Sequence, residues 1–545
     1  MRVTTRSRGR LGRAAAAAAV LALLTSGCSG VPGTEQVDGP AAAPDDGEGT
    51  GEETGDGGAT DGGATDGGAA DGGGTSAGAA GEVPEGLEAF YSQELSWEGC
   101  DGGECATLTV PVNYEEPEAD TIELALLRVP AGGDRQGSLV VNPGGPGGSG
   151  VDYATQAGMV VSGEVRDQFD IVGFDPRGVA RSAPIECFDD AQMDDYLGAD
   201  PTPDDAAEEE AATELLQSFA AACEDRAGEL LGHVSTVEVA RDMDVLRAAL
   251  GEDQLDYLGA SYGTFIGATY AELFPANVGR FVLDGAVDPT MSGMDMGLGQ
   301  AAGFEQATRE YVQSCIDAGD CPLGEDVDSG MQGITDFLNE LDANPIPLDG
   351  DVAGELTEGW GVLGIIVAMY DEAAWPILTQ ALRAAQDGDA TTLMFLANIY
   401  AGRSSDGAYD GNSMQAITAV NCLDRAAEPD LDQEEVLAQF EQVAPTFGRY
   451  LAGEGACAHW PVTAQTVLED YDAEGAAPIV VIGTTRDPAT PYEWAQSLAD
   501  TLSSGVLLTY DGDGHTAYGR SNDCINGAVD AYLIEGTVPE DGLTC

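Results

Sequence analysis

The stretch "LDYLGASYGTF", residues 255–265, runs from an apolar segment into a helical one, with Ser261 two positions from both Gly259 and Gly263. G-x-S-x-G marks a nucleophile elbow, in which serine occupies a strained strand-to-helix turn and its neighbours have no room for side chains. A chain with 75 glycines in 545 residues meets the five-residue pattern by chance as well, so the context decides. "LDYLG" reads as a buried strand and "YGTFIGATYAELF" as a helix. That is the strand–turn–helix setting the motif requires.

Working outward, "TIELALLRVP", "GSLVVNPGG", "FDIVGFD", "RFVLDG", "APIVVIGT" and "GVLLTYDG" also read as strands. Several are short continuous apolar runs ending in glycine or aspartate, as expected of strands buried on both faces. Helical stretches lie between them, such as "VEVARDMDVLRAALG", with apolar residues at Val239, Met243, Leu246 and Leu250. The alternation predicts an α/β fold, a mostly parallel sheet with helices on both faces. It stops after Asp288, and residues 289–461 read as a mostly helical insertion. The core is then expected in two parts, 86–288 and 462–545, with the insertion as a cap.

The chain begins with Arg2, Arg6, Arg8, Arg10 and Arg13, followed by an apolar run from Ala14 to Leu24. Such a run fits a signal peptide over residues 1–27 and is too short to span a bilayer. Cys28, just after small residues, resembles the lipid-modified cysteine of a bacterial lipobox. The expected location is therefore the outer face of the cell membrane, or the medium if the chain is simply secreted. Residues 28–85 are rich in Gly, Ala, Asp and Thr and lack the apolar surface to offset ordering entropy, so they read as a disordered acidic tether.

The formal net charge is −75, and all 21 basic residues are arginine. A surface of this sign repels nucleic acid and anionic lipid, which leaves a lipid at Cys28 as the only expected tie to a membrane. It also fits a salty habitat, where charge is screened over about 3 Å at 1 M salt. Equal stability with and without molar salt would refute that expectation. With Cys28 set aside, ten cysteines remain, an even count that favours disulfides in an exported chain. Their spacing favours pairing neighbours: Cys100 with Cys105, Cys187 with Cys223, Cys315 with Cys321, Cys422 with Cys457, and Cys524 with Cys545. Only three histidines and no H-E-x-x-H are present, so no metal and no other cofactor is expected.

A serine hydroxyl needs a base within hydrogen-bond reach. His233 precedes the Ser261 strand, and His459 sits beside a cysteine in "CAHWP". His515, in "YDGDGHTAYG", follows the last apolar strand on a Gly-rich loop and is the expected base. Asp487, in "VVIGTTRDPATP", follows the penultimate strand and is the expected orienter, because Asp511 and Asp513 share the histidine's own loop. The order Ser, Asp, His is that of α/β-hydrolases. Backbone N–H groups for an oxyanion are expected from Tyr262 and from "NPGGPGGSG", residues 142–150, with Gly145 preferred and Gly144 second. Gly145, Gly147 and Gly150 also satisfy the dinucleotide fingerprint, with Asp170 twenty residues on. Pro146 stiffens that turn and an exported enzyme meets little NAD, which argues against it.

Together, "NPGGPGGSG", "FDPRGVARS", "LDYLGASYGT", "DGAVDPT" and "TTRDPATPYEWA" resemble the actinobacterial tripeptidyl-aminopeptidase-like branch of α/β-hydrolases, close to proline iminopeptidases. The resemblance implies a serine exopeptidase acting on peptides, with a helical cap over the site. It implies Ser261 as nucleophile, Asp487 as orienter, His515 as base, and Gly145 with Tyr262 as oxyanion donors. An aminopeptidase must also hold a protonated N-terminus, best done by a buried carboxylate. Glu272, Asp288, Asp295 and Glu305 are the candidates on or near the start of the cap. Asp175 and Arg177 are expected to brace a loop rather than react. Esters and small-molecule amides ask the same of this triad, and the oligomeric state is not written in the sequence.

Overall fold

The computed structural model describes residues 83–545 apart from 320, 428–431 and 454. The signal peptide, Cys28 and residues 28–82 of the tether lie outside the described residues.

Ten strands form one sheet: β1 (Glu98–Cys100), β2 (Gly103–Pro111), β3 (Thr121–Val129), β4 (Gly137–Asn142), β5 (Phe169–Phe174), β6 (Leu255–Ala260), β7 (Val278–Asp284) and, beyond a small hairpin of β8 (Ile346–Pro347) and β9 (Glu355–Leu356), β10 (Ile479–Arg486), β11 (Gly505–Asp513) and β12 (Leu543–Thr544). Their spatial order is β1-β2-β3-β5-β4-β6-β7-β10-β11-β12. From β5 to β12 every pairing is parallel, whereas β1, β2 and β3 pair antiparallel up to β5. This is the α/β-hydrolase architecture. Strands β1, β2 and β12 were not among the sequence expectations. β2, GECATLTVP, interleaves its apolar residues with Glu104, Thr107 and Thr109, and β12 has two residues, so neither shows an apolar run.

β4 and β5 are buried along their whole length. Their side chains alternate between two apolar layers. Val140 and Val172 join Met243, Leu246 and Tyr270 on one face. Leu139, Val141 and Ile171 join Val151, Val529 and Leu533 on the other. The helix Thr236–Leu250 covers the first face with Val239, Met243 and Leu246 and ends on Gly251 in the left-handed region.

Between β7 and β10 the chain is mainly helical, from Gly293–Ala318 through Val327–Ala343, Glu358–Met369, Trp375–Gln386, Thr391–Ala401 and Ser413–Asp424 to Gly448–Leu451. These helices bury an apolar cluster of their own, with Trp360, Leu338, Leu378, Leu382 and Leu393 at its centre. The ten cysteines form five disulfides, 100–105, 187–223, 315–321, 422–457 and 524–545, each joining neighbours in sequence. Among the described residues no helix is long and apolar enough to cross a membrane.

Candidate active site

The loops carrying the expected site residues leave the same edge of the sheet, the C-terminal ends of β4, β6, β10 and β11. β4 lies between β5 and β6, so the chain crosses over at this point, and such a switch point opens a crevice above the strands.

Ser261 is the first residue beyond β6 and takes φ 56°, ψ −126° immediately before the helix Tyr262–Leu273. A side chain rarely adopts that backbone, and the turn is held by its surroundings. The Ser261 N–H donates to Asp284 O at 2.8 Å, and Thr264 Oγ1 donates to Ser261 O at 2.6 Å. The glycines of the motif now have a steric reason. A β-carbon on Gly259 would stand 2.4 Å from Gly263 O, and one on Gly263 would stand 3.0 Å from Asn142 O.

His515 lies two residues past β11. Its Nδ1–H donates to both carboxylate oxygens of Asp487, at 2.9 Å each. Asp487 is 3% exposed and also accepts the N–H groups of Ala489, Thr490 and Thr516. Five N–H contacts to one carboxylate fix it in place. Thr490 Oγ1 stands 3.4 Å from His515 Nδ1. With the proton on Nδ1, the Nε2 lone pair is left to accept one. The serine turn and the imidazole share a wall: Ser261 is bonded to Asp284 O, and a β-carbon on the next residue, Gly285, would lie 3.2 Å from His515 Cε1.

The loop after β4 closes over the serine. Gly144 has φ 91°, and a β-carbon there would stand 2.8 Å from Ser261 Cβ and 2.9 Å from Tyr262 N. Its own N–H donates to Asn142 Oδ1 at 2.9 Å. Among the described residues, the N–H groups of Gly145 and Tyr262 have no protein acceptor, and Tyr262 begins its helix, where the first N–H groups have no partner within the helix.

The helical segment reaches the loops after β4, β10 and β11. Tyr370 O accepts the His515 N–H at 2.9 Å, and the Tyr370 ring meets the imidazole edge-on with centroids 5.3 Å apart. Gly303 lets the helix Gly293–Ala318 approach the Pro488 carbonyl, which a β-carbon would meet at 2.5 Å. Gly147 does the same against Ser413 O at 2.7 Å.

The other expected residues fall as follows. His233 is buried under Arg177, which donates to its carbonyl, and burial followed by that guanidinium lowers its pKa. His459 is exposed at the end of a short 3-10 helix. Asp511 and Asp513 pair with Arg486. Arg177 is fully buried, bonded to Asp242 and to three carbonyls, and Asp175 accepts from Ser149 and Arg181. Both serve the framework. Glu272 accepts the Ala473 N–H, Glu305 accepts Thr446 N–H and Oγ1–H, and Asp295, in the first turn of the helix Gly293–Ala318, accepts from the hydroxyl of its N-cap Ser292. Asp288 uses Oδ1 for Thr290, and its Oδ2 has no protein donor among the described residues. The sequence did not single out Asp284, Thr490 or Tyr370 as residues around the base.

Residues 444–545 match the family model described as "TAP-like protein". The chain is 42% identical over 459 residues to serine protease Hip1 of Mycobacterium tuberculosis strain H37Rv, covering 82% of this chain and 87% of the relative. It is 39% identical over 488 residues to carboxylesterase B of the same strain, covering 86% and 92%. It is 34% identical over 472 residues to tripeptidyl aminopeptidase of Streptomyces lividans, covering 83% and 86%. Similarity of that extent, on this sheet order and with a serine at the turn after β6, has one reading: the chain belongs to the TAP-like family of α/β-hydrolases and is a serine hydrolase.

Proposed function

We propose that the protein is an exported serine exopeptidase that releases short peptides, tripeptides in the first instance, from free N-termini. The observation that carries this reading is the imidazole of His515 held by Asp487 beside the Ser261 turn. Ser261 Oγ attacks the scissile carbonyl and its proton passes to His515 Nε2. The N–H groups of Gly145 and Tyr262, both without a protein acceptor among the described residues, take the oxyanion, and the Gly144 N–H is already given to Asn142. Collapse expels the amine, which leaves with the proton from His515. Water then attacks the acyl-enzyme with His515 as base, and the short peptide departs.

Asp288 serves as the anchor for the substrate amine in this reading. It follows β7, whose last residue accepts the Ser261 N–H, is 7% exposed, and has one carboxylate oxygen with no protein donor among the described residues, whereas Glu305 gives both oxygens to Thr446 and Glu272 is less buried. The tripeptide step rests on the Streptomyces relative's name. Five disulfides support an exported life, with Cys28 as the lipid-modified end. A second reading, hydrolysis of esters, is favoured by the name of one relative and uses the same residues.

The test is covalent. A fluorophosphonate should label one residue, identified by peptide mass as Ser261, and Ser261→Ala should remove both label and turnover of peptides and esters. Label on another residue, or turnover by Ser261→Ala, would end the reading.

A further inference from the structure

The loop that carries His515 is held by its backbone, one N–H after another. His515 N–H goes to Tyr370 O at 2.9 Å and Thr516 N–H to Asp487 Oδ2 at 3.1 Å. The next two, Ala517 and Tyr518, both go to the side chain of Asp284, at 2.8 to 3.0 Å. Asp284 is the last residue of β7, and its main-chain oxygen is the one that accepts the Ser261 N–H. A single residue therefore bonds to the serine turn through its backbone and to the histidine loop through its carboxylate.

That carboxylate is 3% exposed and is held by backbone N–H groups rather than by an arginine. Burial pushes its pKa up to about 6, against the N–H bonds from Ala517 and Tyr518 and the attraction of His515, with Asp487 adding to the rise. The titratable groups that face it are His515, Asp487 and, from the helix Gly150–Thr155, the Tyr153 phenol. A buried anion without a fixed counter-charge gains from any positive charge that forms nearby. In this site that charge is the imidazolium made during acyl transfer.

We propose that Asp284 is a positioning residue for the base: it fixes the His515 loop to the Ser261 turn, and its charge stabilises the imidazolium formed on His515. This rests on the reading of His515 as the base. Asp487 holds the ring itself, and Asp284 sets where the ring stands relative to the serine and adds a second negative charge in reach of it. Asp284→Asn is nearly isosteric and still offers one acceptor to the loop, so it removes the charge with little change of shape.

The measurement is the second-order rate of Ser261 labelling by a fluorophosphonate from pH 4.5 to 8.5, for wild type, Asp284→Asn and His515→Ala. In Asp284→Asn the plateau should fall about tenfold, the equivalent of one pK unit of lost interaction. Its acid limb should move to lower pH by roughly half a unit or more, because the imidazolium has lost a stabilising charge. A lower plateau with an unmoved limb would make Asp284 merely structural and overturn the proposal. Labelling of His515→Ala at the wild-type rate would instead overturn the base assignment beneath it. If Asp284→Asn does not fold, the wild-type limb decides: two groups taking protons give a logarithmic slope above one below about pH 6, and a slope of one refutes the role.

Discussion

Replacing Asp487 by asparagine changes one atom type and should remove nearly all turnover. In the native site Oδ1 accepts from His515 Nδ1, Ala489 N and Thr490 N, while Oδ2 accepts from His515 Nδ1 and Thr516 N. Every partner is a donor, and three of them are backbone groups that cannot change. Asparagine must place its NH2 group on one side. Facing Ala489 and Thr490 it would oppose two N–H donors, so it settles on the Oδ2 side, against Thr516 and the imidazole. His515 must then accept on Nδ1, which puts its proton on Nε2 and leaves no lone pair for Ser261. Loss of the base through the wrong tautomer is worth about 10⁴ in kcat, or ~5 kcal/mol of barrier. The Thr516 N–H left facing a donor costs about 1–3 kcal/mol of stability. The assay is kcat on a reactive ester together with urea unfolding. A fall in kcat below tenfold, in a variant that still unfolds cooperatively, would refute the tautomer argument.

Gly144→Ala should lower kcat about 10²–10³-fold, the cost of a misplaced oxyanion donor, because its methyl would stand 2.9 Å from Tyr262 N. Gly251→Ala is its control: φ is 76° but nothing lies within 4 Å, so it should lose about 1–2 kcal/mol of stability and no activity. Stability should also depend on Asp284 through pH. Its folded pKa, about 6, lies above that of the unfolded chain, so its contribution is complete below about pH 4 and lost as pH rises through 6. Urea unfolding should therefore show the stability of wild type relative to Asp284→Asn declining by about 3 kcal/mol from pH 4 to pH 8; a constant difference would refute it. Cys187→Ser with Cys223→Ser opens a buried 36-residue separation and should cost about 2–4 kcal/mol in the same assay.

The parts of this site legible in the sequence are those set by local geometry. The elbow shows in Gly259 and Gly263 because the steric conflict is with residues close in the chain or on the neighbouring strand β4. Asp487 and His515 are legible because each follows an apolar strand, and strand ends define the site edge of a parallel sheet. What was not legible depends on contacts between distant segments. Asp284 meets Ala517 and Tyr518 across more than 230 residues, and "RFVLDG" reads only as a strand that ends. Tyr370 reaches His515 from the end of an inserted helix whose apolar pattern reports only its own core. The carboxylates suffered from abundance: with 96 acidic residues, composition cannot separate Asp288 from Glu272 or Glu305. Only their burial and the donors around them do.

The central claim is that Ser261 acts on peptides read from their free N-terminus. The direct measurement is to incubate residues 86–545 with one oligopeptide in free and N-acetylated forms, and to identify the products by mass. The account predicts that a tripeptide leaves the free peptide and nothing leaves the acetylated one. Equal cutting of both would mean the amine is not read, and no cutting of either, with esters still turned over, would contradict the peptidase assignment itself.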